Sequence, residues 1–109
     1  MNAAEIMRSY IIDMETYNLA EQAGMFCECL GECNLSAFEG TKFCYSADEP
    51  YGVHFIWDKG DLRIQLSFKA DKDDSSWYII NGKKRCRKTI GNDPEKACRE
   101  FLDTLNDMA

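Results

Sequence analysis

Between Ala3 and Gly24 the apolar residues Met7, Tyr10, Ile11, Met14 and Tyr17, with Ile6 beside them, recur at the spacing of one helical face. The pattern predicts an amphipathic helix over 3–24 that Gly24 ends, with Asn18 and Glu21 offering a capping box for a restart. Residues 25–50 follow neither the helical nor the strand period; Gly31, Gly40 and Pro50 punctuate them, and Ser36 with Glu39 suits a short helical turn. From 51 to 90 the period becomes two. Val53, Phe55 and Trp57 share a face, and Asp58-Lys59-Gly60-Asp61 turns the chain. Leu62, Ile64, Leu66 and Phe68 then alternate with Arg63, Gln65, Ser67 and Lys69, the cleanest half-buried strand in the sequence. After the loop Lys72-Asp73-Asp74-Ser75, Trp77-Tyr78-Ile79-Ile80 reads as a strand, Asn81-Gly82 as a hairpin turn and Lys84–Ile90 as the returning strand. A last helix over 93–106 has Asp93 as its N-cap, Pro94 and Glu95 in its first turn, and an apolar stripe of Ala97, Cys98, Phe101, Leu102 and Leu105. The expected fold is one α+β domain: N-terminal helix, irregular Cys-rich segment, four-stranded antiparallel meander, and C-terminal helix packed on the sheet.

Length bounds what such a domain can do. With 109 residues, 45% of them apolar, the chain suits one core and excludes a two-domain enzyme. No apolar run approaches the ~18 residues a membrane span needs, and the N-terminus does not read as a signal peptide, so a cytoplasmic protein is expected. The formal charge of −6 is uneven: residues 1–50 hold nine acids against two bases, residues 51–109 ten against eleven. The bases concentrate in Lys83-Lys84-Arg85-Cys86-Arg87-Lys88.

In a reducing compartment six cysteines are expected as metal ligands, reactive thiols or small core residues rather than disulfides. Cys27, Cys29, Cys33 and Cys44 have the spacing C-x-C-x3-C-x10-C, which suits a structural zinc ion held by thiolates at ~2.3 Å. His54 is an alternative fourth ligand. Metal would also explain how a segment poor in aliphatic residues becomes ordered. The competing reading is buried free thiols. Cys86, in phase with Ile90, and Cys98, on the stripe of the last helix, read as core residues.

His54 is the only histidine, and it alternates out of phase with Val53, Phe55 and Trp57. A Cys27 or Cys29 nucleophile paired with it lacks any accompanying nucleophile elbow, phosphate loop or paired carboxylates, so no enzyme is expected. Lys83, Arg85 and Arg87 would project from one strand face at roughly 6.5–7 Å intervals, a spacing able to follow phosphates. The acidic field of the whole chain opposes that use, and a charged edge strand that resists aggregation is the blander reading. The acids Glu28, Glu32, Glu39, Asp48 and Glu49 instead suit docking on a basic protein surface.

In size, acidic balance and α+β pattern, with Glu28, Glu32 and Glu39 interleaved among Cys27, Cys29, Cys33 and Cys44, the chain resembles small phage-encoded inhibitors of the anti-CRISPR type. The resemblance implies a stoichiometric, non-enzymatic inhibitor of a nucleic-acid-handling protein, such as a Cas nuclease, acting in the host cytoplasm. The sheet followed by a helix is also loosely similar to the double-stranded-RNA-binding domain. That family starts its helix with a Gly-rich and Lys-Lys sequence, where this chain has Asn92-Asp93-Pro94-Glu95-Lys96.

Overall fold

Strict alternation along residues 62–69 places Leu62, Ile64, Leu66 and Phe68 in the core, and the neighbouring strands take their register from it. A computed structural model describes residues 2–31 and 36–108. Its sheet has five strands, β1 (Lys42–Asp48), β2 (Gly52–Lys59), β3 (Leu62–Lys69), β4 (Ser76–Asn81) and β5 (Lys84–Thr89), each antiparallel to the next and ordered as in the sequence. Three helices cover one face: α1 (Ala3–Ile11), α2 (Tyr17–Gly31) and α3 (Pro94–Met108). The α+β class and the flanking helices agree with the sequence pattern; the number of strands and the N-terminal helix do not.

The expected helix over 3–24 is two helices. A continuous one would run about 33 Å at 1.5 Å per residue, as long as the 33 Å long axis of the molecule. The chain instead stops after Ile11, reverses, and packs α2 back on α1, so that Met7 and the Leu19, Ala23 and Phe26 stripe enter one core. Glu49 Oε1 accepts from the amides of Glu15 and Thr16 at 3.1 and 2.9 Å, and its negative charge suits the N-terminus of α2. Gly24 does not end a helix; it lies within α2.

The segment 25–50 is not irregular throughout. Its beginning continues α2, and Lys42–Asp48 forms the fifth strand, paired to β2 through Phe43↔Trp57 and Tyr45↔Phe55. Phe43 and Tyr45 are only partly buried, sheltered by Tyr10 of α1 at ring distances of 5.3 and 4.5 Å, which is why the period of β1 is faint. At the β4–β5 hairpin Asn81 pairs with Lys84, so the two loop residues are Gly82 and Lys83 rather than Asn81 and Gly82. Gly82 takes a φ of +64°, which a side chain would oppose. The start of α3 is as expected: Asp93 Oδ1 accepts from the Lys96 amide at 3.0 Å.

Helices and sheet meet through aromatic rings. Phe26 of α2 lies 5.9 Å from Phe68 on β3 and 5.6 Å from Phe101 on α3, and Phe101 lies 5.6 Å from Trp77 on β4. Gln22, buried beside them, is satisfied: it donates to the Lys69 carbonyl at 2.8 Å and accepts from Ser75 Oγ at 2.6 Å. Because Phe26 joins two helices to the sheet, Phe26→Ala is expected to cost about 3–5 kcal/mol. A denaturation midpoint close to that of the parent protein would refute this arrangement of the core.

Candidate functional site

Alternation that buries one face of the sheet presents the other to solvent, because all three helices pack on the same side. Five cations project from strand positions of this open face, Lys42, Arg63, Lys69, Arg85 and Arg87, against two carboxylates, Asp48 and Asp58. Arg63 binds Asp58 with both fork atoms, at 2.7 and 3.0 Å. Among the described residues the other four cations have no carboxylate partner.

The centre of the face is a hydrogen-bonded row. The ladder sets His54 opposite Ser67 and Ser67 opposite Ser76. His54 Nδ1 lies 2.7 Å from Ser67 Oγ, Gln65 Nε2 donates to the same hydroxyl at 3.1 Å, and Lys69 Nζ lies 3.5 Å from His54 Nε2. Which ring nitrogen bears the proton decides whether His54 or Ser67 donates in this pair. Burial, and then the Lys69 charge, hold His54 below its ordinary pKa.

Gly52 makes this geometry possible. It faces Lys69 in the ladder, and a Cβ there would stand 2.9 Å from Lys69 Cδ, so only glycine lets the Lys69 stem lie across the strand toward His54. From the helix side Ser75 Oγ accepts from the Lys69 amide at 2.8 Å, fixing its backbone. Neither arrangement appears in a single segment of sequence. It follows from counting: a two-residue loop at Gly60-Asp61 pairs Lys59 with Leu62, and counting back sets His54 against Ser67 and Gly52 against Lys69.

Of the cysteines proposed for zinc, the three that are described, Cys27, Cys29 and Cys44, do not converge. Cys27 is buried in α2 and donates to the Ala4 carbonyl at 3.2 Å; Cys29, two residues on, points elsewhere around the helix. Cys44 stands on the open face of β1, as does His54 on β2, so the sheet separates them from the α2 thiols. Cys33 and Glu32 lie outside the described residues, among which no group of three or more His, Cys, Asp or Glu side chains is placed to hold a metal. The residues that are described thus do not fit a four-thiolate zinc site. Cys86 packs partly buried against the core and Cys98 is fully buried.

The acids proposed for a partner are also dispersed. Glu28 is exposed on α2, Glu39 follows the short turn Ser36–Phe38, Asp48 ends β1, and Glu49 is engaged in capping α2. Of the basic run, Lys83 is in the hairpin loop, whereas Arg85 and Arg87 share the open face.

A different stripe emerges around Glu28. Tyr17, Glu21, Met25 and Glu28 succeed one another along the outward side of α2, at spacings of four, four and three residues. Tyr17 is 79% and Met25 49% exposed, large values for such side chains. The neighbouring Glu21 carboxylate raises the Tyr17 hydroxyl above the ordinary phenol pKa. Reading 3–24 as one helix with Tyr17 on its buried stripe concealed this surface.

No described helix is long and apolar enough to cross a membrane. Comparison with known proteins finds no family model, no curated protein sequence and no solved structure that matches the chain.

The lone histidine makes the electrostatics measurable. Its proton NMR titration should fall below the ordinary value, and Lys69→Gln should raise it part of the way, since burial is the larger cause. A depressed folded pKa means that the unfolded chain takes the proton first. His54 should therefore cost stability as pH falls below about 6.5, and His54→Gln should flatten that decline; an unchanged pH dependence would contradict the assignment. Among the described thiols, Cys44 should alkylate first, while Cys27, whose pKa burial raises, should react only on unfolding. Early modification of Cys27 by mass spectrometry would overturn its placement.

Proposed function

We propose that this chain is a non-enzymatic binding protein that docks through the outward face of α2 on a basic protein surface, and acts as a stoichiometric inhibitor of a nucleic-acid-handling protein such as a CRISPR effector. The reading is supported above all by Tyr17, Glu21, Met25 and Glu28, which set two exposed apolar anchors among carboxylates on a regular helix. Tyr and Met are enriched at the desolvated centres of interfaces, where a few anchors carry most of the affinity.

Charge gives the direction. Basic surfaces suited to such a stripe are those that grip phosphates, and an acidic occupant would both accelerate encounter and compete with nucleic acid. One standard interface of about 800 Å² per partner would take roughly an eighth of the 6341 Å² surface. The resemblance in size and acidic balance to inhibitors of the anti-CRISPR type points the same way.

Titration against a panel of purified nucleases and nucleic-acid-guided effectors tests the reading. Against a true target, Tyr17→Ala should weaken binding by about tenfold or more, Glu21→Lys with Glu28→Lys should weaken it further, and added salt should slow association. Affinity indifferent to salt and to all three substitutions would eliminate this mode of docking.

A further inference from the structure

The open face of the sheet holds cationic donors that no carboxylate among the described residues engages. Ser67 Oγ accepts from Gln65 Nε2 and lies 2.7 Å from His54 Nδ1, and Ser76 Oγ accepts from Arg87 Nη2 at 3.4 Å. The two serines are only 7% exposed and face each other across β3 and β4. Lys69 and Arg87, which have no carboxylate partner among the described residues, flank the same spot.

These groups line a hollow of about 450 Å³ that Tyr78 borders, continuous with a second of about 540 Å³ toward Asp73 and Lys88. Both are within the size range of small-ligand sites. We propose that this hollow binds the phosphate group of a small phosphorylated molecule, with the Ser67 and Ser76 hydroxyls, the Lys69 ammonium and the Arg87 guanidinium donating to its oxygens. Phosphate oxygens only accept, the Lys69 ammonium and Arg87 guanidinium only donate, and each serine hydroxyl has a proton to give. Gly52 is part of the design, since it lets Lys69 cross the strand into the hollow.

A nucleic-acid strand satisfies the same donors less well. Lys83 is off the face, Asp73 and Asp74 border the hollow where a strand would continue, and the chain carries a net charge of −6. A compact phosphate in the smaller hollow meets Asp74 but not Asp73, and it feels the distant charges far less than a polyanion does. The site is on the side of the sheet opposite α2, so it stands or falls independently of the docking surface.

The test is an NMR titration of the isotope-labelled protein with inorganic phosphate, a nucleoside 5′-monophosphate and a single-stranded oligonucleotide. Phosphate and the monophosphate should shift the same amides, at Ser67, Ser76 and Arg87. Lys69→Gln and Arg87→Gln should each weaken that binding by about tenfold or more, because each removes a charge-assisted bond, while Lys96→Gln on α3 should leave it unchanged. Unaltered spectra away from the hollow establish that the variants are folded. Absence of shifts with both small probes, a response to the oligonucleotide alone, or affinities that both variants leave intact would each overturn the proposal.

Discussion

The contact of Phe26 with Phe68 and Phe101 governs the arrangement of the rest of the molecule. It holds α2 and α3 together on one side of the sheet, and Trp77 extends the contact to β4. A sheet covered on one side only must sort its residues by parity, with apolar side chains beneath the helices and polar ones in water. That sorting brings His54, Ser67, Ser76, Lys69 and Arg87 together, although no two of the four strands that carry them were chosen for chemistry along the chain.

Charge follows the layers more closely than the halves of the sequence. The helices carry two more acids than bases on α2 and again on α3, while the open face of the sheet carries five cations against two carboxylates. The acidic front half is therefore only part of the story, because α3, from the near-neutral back half, joins the acidic side. A protein of modest net charge is thereby divided into two surfaces of opposite preference, and the two binding proposals draw on different ones.

How much of this was legible depended on how completely each element is buried. The alternation of Leu62 to Phe68 and the stripe of Ala97 to Leu105 were plain, because one face of each is fully sealed. The strand β1 was not, since Phe43 and Tyr45 are half-covered and the alternating Cys44 drew attention to metal instead. The reversal after Ile11 was invisible for a different reason: Met14 and Tyr17 continue the helical period past the break, and the carboxylate that caps α2 comes from Glu49, 33 residues beyond Thr16. The hollow on the open face needed the pairing register as well as the residue types, and register resides in the loop Gly60-Asp61, outside the residues it aligns.

The order of the strands has a consequence for how the molecule assembles. Each strand pairs only with its successor in the chain, so every ladder begins from a short hairpin or, between β3 and β4, from the turn at Lys72–Asp74. Closing such short loops costs little chain entropy, and the sheet can zip up from either end. The distant encounters are those of Phe26 with Phe68 and Phe101, which draw in residues from opposite ends of the sequence. The chain-entropy cost of closing the fold is therefore concentrated in the docking of the helices rather than in the ladder they cover.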